Sequence, residues 1–296
     1  MKRSIMACLV VFMVLSGAFA AGPSVTDSLG RKVGLDKPAL RVVSLSPSAT
    51  EILFALGAAD LVMGVTDYCN YPPEAVAKPK VGGFSGKTIS MEQIVAMRPD
   101  LVIVAGGMHE KVMGMLASVG IKSFAAEPVT ITEIYANIRA IGLLIGKDSN
   151  AEKVVMAMKT RIDAVGAKVS GARKPTVFWE LWDDPLMSAG GPTFINEAIR
   201  LAGGTNVFAD MKEQWPMVSL EEILVRNPDW IVSGDDHGDR MNAEQLKKRN
   251  GWTNVAAVKN NRIALVEGDE INRSGPRFAN AVEALARVFH PDLVKP

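Results

Sequence analysis

The sequence predicts an α/β protein of two lobes with mainly parallel sheets, joined by one long α-helix, with a ligand cleft between the lobes. Three observations predict this. Short β-branched runs alternate with helical stretches, the pattern of parallel strands with helices on the sheet faces. One phrase occurs twice: SMEQIVAMRPDLVI at 90–103 and SLEEILVRNPDWIV at 219–232, with Ser, Glu, Ile, Pro and Asp in register. Between the copies, Ala151, Val154, Val155, Met158, Ile162, Val165 and Val169 form a helical stripe with no strand signal.

The first residues read as a targeting segment. Lys2 and Arg3 precede a short apolar run from Ile5 to Leu15, and Ala18-Phe19-Ala20 offers a small-residue cleavage site. Export of a soluble periplasmic protein, cut after Ala20, is expected. No Cys follows the small residues, so a lipoprotein is not. Cleavage removes Cys8 and leaves Cys69 alone, so no internal disulfide can form. Apolar residues make up 48% and charged residues 22%, enough for two cores. The formal charge is +1 and no basic stripe stands out, which argues against a nucleic-acid partner.

After the signal peptide (1–20), the N-terminal lobe is expected over 21–148. Val25 to Leu35 reads as a hairpin around Leu29-Gly30, and Arg41 to Leu45 as a buried strand broken by Ser46-Pro47-Ser48. A helix follows over about 49–56, with Ser48 and Glu51 at capping-box spacing. Leu61 to Val65 is the next strand. The repeated unit then supplies a helix over 91–97 and a strand over 101–105. A helix at about 110–119 and a strand over 121–124 complete this series. The connecting helix is expected over 149–171, ended by Gly171. The C-terminal lobe, 172–296, repeats the alternation. Strands are expected at 177–181, 230–233 and 263–266, and helices at 194–202, 219–225, 243–249 and 276–289.

Ser90 with Gln93, and Ser219 with Glu222, have capping-box spacing, and each copy closes on Pro-Asp. Ligands of parallel sheets bind beyond the carboxyl ends of the strands. The loops after the repeated strands, Gly106 to His109 and Gly234 to His237, are therefore expected to face each other. Tyr68, Phe84, Trp182 and Trp215 lie in neighbouring loops and can supply flat apolar walls, whereas Trp179 inside its strand reads as core. His109 and His237, one per lobe, are candidate metal or axial ligands, with Glu110, Asp235 or Asp236 beside them. His290 reads as a surface residue.

In order along the chain, RVVSLSPSATEILFALG, YCNYPPEAVAKPKVGGFSG, the repeated strand, the single helix, QWPMVSLEEIL and NRSGPRF resemble the periplasmic binding proteins for cobalamin and iron chelates. The resemblance implies two Rossmann-like lobes, one connecting helix, little hinge motion, and delivery of a ligand to the permease and ATPase of an ABC importer. It is nearest the cobalamin branch. By that likeness Tyr68, Phe84 and Trp215 contact a corrin, with Asp269 and Arg273 as a polar strip. Phe84 stands where Trp is common, and Ala105 where another aromatic occurs. The family docks its permease through one glutamate per lobe, and Glu51 and Glu221 match. Haem or a ferric siderophore is the alternative ligand, and no cofactor is expected. A metal-dependent hydrolase, using the carboxylate pairs Asp183-Asp184 and Asp235-Asp236, is the competing class. No G-x-S-x-G or H-E-x-x-H motif supports it.

Overall fold

The computed structural model describes residues 22–235, 237–238 and 240–295. The expected signal peptide, with its cleavage point after Ala20, and Asp236 lie outside the described residues.

The chain opens on an antiparallel hairpin of β1 (Ser24–Thr26) and β2 (Lys32–Gly34). The Asp27 carboxylate closes its turn by accepting the Leu29 and Arg31 N–H groups. Gly30 holds a φ of 75°, a left-handed value that any side chain would strain. The first parallel sheet comprises β3 (Val42–Ser44), β4 (Val62–Val65), β5 (Leu101–Val104) and β6 (Ser123–Ala125), in the order β4-β3-β5-β6. Its helices are α1 (Pro47–Ala55), α2 (Pro73–Val76), α3 (Met91–Ala96) and α4 (Glu110–Ser118). β5 is buried on both faces, which its unbroken apolar run LVIV requires. Between β6 and the long helix, where no element was expected, lies α5 (Ile131–Leu144). Thr130 and Glu133 form its full capping box, and Ile134, Ile138 and Ile141 are its buried stripe.

The long helix α6 runs Asp148–Val169 and packs on α5. Its 22 residues reach about 33 Å at ~1.5 Å per residue. Ala151, Val155, Met158, Ile162, Val165 and Val169 are its buried face.

The second parallel sheet holds β7 (Thr176–Trp179), β10 (Thr205–Asn206), β11 (Trp230–Ser233) and β12 (Ile263–Leu265), in the order β10-β7-β11-β12. A small hairpin, β8 (Trp182–Asp183) with β9 (Leu186–Met187), projects after β7. The helices are α7 (Phe194–Leu201), α8 (Leu220–Arg226), α9 (Ala243–Lys248), α10 (Ala256–Lys259), α11 (Gly268–Ile271) and α12 (Phe278–Phe289). α12 also packs along α6, where Arg161 holds Glu283 and Asn280. Trp179 is core at 1% exposure. His290 is not at the surface: it is buried, with Nε2 3.2 Å from the Gly203 carbonyl.

The two sheets share one strand order, and the repeated phrase occupies the same place in each. α3 leads into β5 beside β3, and α8 leads into β11 beside β7. The Pro-Asp of each copy has a shared task. Asp100 accepts the N–H groups of Leu40 and Arg41 at 2.9 Å, and Asp229 accepts that of Thr176 at 2.9 Å. Each carboxylate thus holds the start of the neighbouring strand. Arg98 and Asn227, just before Pro-Asp, both turn left-handed, with φ 44° and 42°. Ser219 and Glu222 make the full capping box; Ser90 provides the hydroxyl half, accepting the Gln93 N–H at 3.3 Å.

Candidate functional site

The segments that follow the strands bring the lobes together. Asn70, after β4, donates to Asp269 Oδ2 at 2.9 Å, after β12. Arg273 returns the contact: Nη1 donates to Asn70 Oδ1 at 2.7 Å and Nη2 lies 2.7 Å from Asp269 Oδ1. The polar pair Asp269 and Arg273 is therefore assembled with a residue of the other lobe. Asn70 lies inside YCNYPPE, but nothing local marks it, because its partners are about 200 positions away in the chain.

Glu51 does not stand at the surface. Its side chain is 2% exposed and accepts from Arg273 Nη1 (2.9 Å), Arg277 Nε (2.9 Å) and Arg277 Nη2 (2.7 Å). A carboxylate so enclosed cannot reach a permease, which removes the docking role expected of it. The capping box with Ser48 is also absent, since Ser46 is the N-cap of α1. Arg277 completes the cluster by lying 4.0 Å over the Tyr71 ring. The repeat identifies the true counterpart of Glu221. Glu92 occupies the matching position, second in α3 as Glu221 is second in α8, and both are exposed.

The aromatic residues stand where the strands end. Tyr68 (61% exposed) follows β4 and meets Phe84 edge-on at 6.4 Å. Trp182 (47%) opens the β8–β9 hairpin after β7, and its indole N–H donates to Asp184 O. Trp215 (37%) meets Phe194 at 6.2 Å, which in turn meets Phe278. Among the described residues these ring contacts stay within one lobe. Tyr68 and Phe84 thus stand together on the first lobe, and Trp182 and Trp215 stand on the second with separate ring partners.

Both histidines serve the walls from behind. His109 is fully buried and meets Phe84 edge-on at 5.6 Å. Its Nδ1 accepts the Ala105 N–H at 3.1 Å, so Nε2 carries the proton and donates to Phe84 O at 2.6 Å. With both nitrogens engaged, no lone pair is left for a metal. His237 has no exposed side-chain surface and meets Trp182 at 5.6 Å. Its Nε2 lies 3.5 Å from Ser233 Oγ and 3.7 Å from Glu180 Oε1. Glu180 is itself buried, which pushes its carboxyl above the usual range; two contacts from Arg249 at 2.8–2.9 Å oppose that. Each ring is enclosed under an aromatic rather than presented to a cleft, so the arrangement lends the axial-ligand expectation no support, although His237 Nδ1 makes no hydrogen bond among the described residues. Asp235 accepts the His237 N–H, and Glu110 begins α4. Among the described residues no group of three His, Cys, Asp or Glu is placed to hold a metal ion.

Burial pushes the His109 imidazole below its ordinary value of 6.5, with the Phe84 carbonyl acting the other way. The sign follows from linkage. Below pH 6.5 the unfolded chain takes up a proton that the folded ring resists. This contribution to stability is therefore complete above that pH and declines as pH falls toward the lowered folded value. A His109→Gln variant should show a smaller loss of unfolding free energy between pH 7.5 and 5.5 than the parent. Equal losses in urea titrations would mean that the ring titrates freely.

A family model described as periplasmic binding protein matches residues 42–269. The chain is 33% identical over 285 residues to the uncharacterized ABC transporter substrate-binding lipoprotein YvrC of Bacillus subtilis (strain 168), covering 92% of this chain and 87% of the relative. It is 32% identical over 250 residues to the vitamin B12-binding protein of Salmonella typhimurium (strain LT2), covering 84% of this chain and 90% of the relative. The fold is similar to that of the periplasmic heme-binding protein RhuT from Roseiflexus sp. RS-1 in apo form. That likeness has TM-score 0.75 and 25% identity, covering 85% of this chain and 98% of the other.

Proposed function

This chain belongs to the periplasmic binding protein family, and on that premise we propose that it captures a corrinoid such as cobalamin and delivers it to an ABC importer. The observation that carries the corrinoid reading is the pair of aromatic walls. Tyr68 and Phe84 on one lobe, and Trp182 and Trp215 on the other, are partly exposed at the carboxyl ends of like-ordered sheets. Flat apolar faces with polar edges suit a large planar ligand, and the Asp269–Arg273–Asn70 cluster supplies orientation at the rim. The vitamin B12-binding relative supports the same ligand. Haem is the second reading, supported by the likeness to a heme-binding structure; a ferric siderophore belongs to the same class. Axial ligation by His109 or His237 forms no part of either.

The role proposed is that of a carrier, which the match to the periplasmic binding protein family and to an ABC transporter substrate-binding relative supports. The proposal includes export by a signal peptide removed after Ala20. Among the described residues no helix is long and apolar enough to cross a membrane. Docking to the permease is assigned to Glu92 and Glu221.

Calorimetric titration with cobalamin, cobinamide, haem and a ferric siderophore tests the ligand. Cobalamin should bind tightly. Phe84→Ala with Trp215→Ala should weaken it about 100-fold, two aromatic contacts of roughly 1.5 kcal/mol each. Tight binding of haem or a siderophore with none of any corrinoid would overturn the ligand.

A further inference from the structure

Phe84 stands on a turn that the rest of the lobe holds by one hydrogen bond. The base of the turn is pinned where Gly82 bridges Ile89 and where the Asp67 N–H donates to Gly82 O at 2.9 Å. Beyond that base, among the described residues, the other hydrogen bonds of residues 83–88 stay inside the turn. Gly83 N–H donates to Thr88 O, Thr88 N–H to Ser85 O, and the Ser85 and Thr88 hydroxyls meet. The exception comes from His109, whose Nε2 donates to Phe84 O at 2.6 Å. The same imidazole packs edge-on against the Phe84 ring, with centroids 5.6 Å apart. It thus holds residue 84 by the backbone and by the side chain at once.

The other side of the imidazole is anchored on the sheet. Nδ1 accepts the N–H of Ala105, the residue directly after β5, at 3.1 Å. The 3₁₀ turn Gly106–His109 carries the chain back so that residue 109 reaches residue 105. His109 has 0% exposure, so water stands ready to replace neither bond. The two bonds together require the neutral ring. A second proton turns Nδ1 into a donor, and the buried Ala105 N–H then faces another N–H. The ionisable groups of the surrounding elements offer no compensation. Asp67 and Tyr68 after β4, Lys87 on the turn, Glu110 and Lys111 at the head of α4 and Glu127 after β6 make neither an ion pair nor a hydrogen bond with the ring. An imidazolium here is relieved only by moving, and Phe84 moves with it.

We infer that His109 is the positioning residue of Phe84, and that the protein holds a ligand on Phe84 firmly while this ring is neutral and loosely once it is protonated. The choice of ligand rests on the corrinoid reading above; the positioning does not. A ligand laid on Phe84 closes the turn further against water and so favours the neutral ring. Affinity is therefore full at and above neutral pH, and it declines as pH falls through the folded value of the ring, which burial holds below 6.5.

Two measurements on the mature protein test this. Without ligand, amide NMR between pH 7.5 and 4.5 should show the Ala105 N–H shifting in step with the titration of the His109 ring. An Ala105 amide that ignores the ring would overturn the positioning, whatever the ligand is. In cobalamin titrations the affinity of the parent should fall about three- to tenfold over the same range, the scale of one hydrogen bond. His109→Leu should bind at pH 7.5 about as weakly as the parent does at pH 4.5, with a flat profile. His109→Gln keeps a donor for Phe84 O and does not titrate. It should recover most of the affinity, again with a flat profile, and it decides the matter if His109→Leu does not fold. A flat parent profile, or an undiminished fall in His109→Gln, would overturn the inference and leave the corrinoid reading standing. A parent that binds no corrinoid while Ala105 still tracks the ring would overturn the ligand and leave the positioning standing.

Discussion

Reversing two charges, Glu92→Lys with Glu221→Lys, is expected to abolish ligand uptake while ligand affinity stays within about twofold. The two residues are equivalent by the repeat and by the structure. Each is second in a short helix that leads through Pro-Asp into a buried strand, and each points an exposed carboxylate from a first turn. Exposed apolar residues accompany them, Val95 at 42% and Val225 at 86%, the mixed surface that a partner protein covers. Neither glutamate supports the fold in a way that lysine would destroy. The helix dipole favours a carboxylate there by only about 0.3–1 kcal/mol, and the capping serines are untouched. Truncating one member of an interfacial charge pair costs about 2–5 kcal/mol, and reversing it adds repulsion. Two such losses in one docking event exceed the stability of a transient complex. The measurement is uptake in proteoliposomes holding the cognate permease, with a parallel titration of ligand binding. Unimpaired uptake would remove these residues from the interface.

Glu51→Ala is expected to lower the unfolding free energy by about 3–5 kcal/mol, the cost of leaving buried charges without their partner. Two guanidinium groups depend on this one carboxylate, and their side chains are only 10% and 15% exposed. Arg273 would keep Asp269 and Asn70, and Arg277 would keep the Tyr71 face and a longer contact to Glu270. Glu51→Gln, which retains an acceptor of the same shape, should lose less. Urea unfolding followed by tryptophan fluorescence measures both variants. A Glu51→Ala midpoint equal to that of the parent would show that the cluster contributes nothing net.

The lobes were legible because their signals are local. Pro-Asp, the capping serines and the β-branched runs act within a few residues, and the strands they predict lie within two residues of those observed. Helix α5 was within reach of the same signals: Thr130 and Glu133 have capping-box spacing, and Ile134, Ile138 and Ile141 share one stripe. Glu51 could not be read this way. Ser48 offers it a nearby partner in sequence, whereas its true partners are 222 and 226 positions distant. The histidines misled for a different reason. Their residue type suits a metal and their loop positions suit solvent, but only the folded chain shows each ring tucked beneath Phe84 or Trp182.

The clamp that Glu51 forms with Arg273 and Arg277 bears on how the lobes part. Swinging the lobes apart would break three charge-assisted hydrogen bonds in a nearly dry setting. The cluster therefore acts as a latch between the lobes, and any opening that admits cargo has to meet the cost of exposing Glu51 and two guanidinium groups to water.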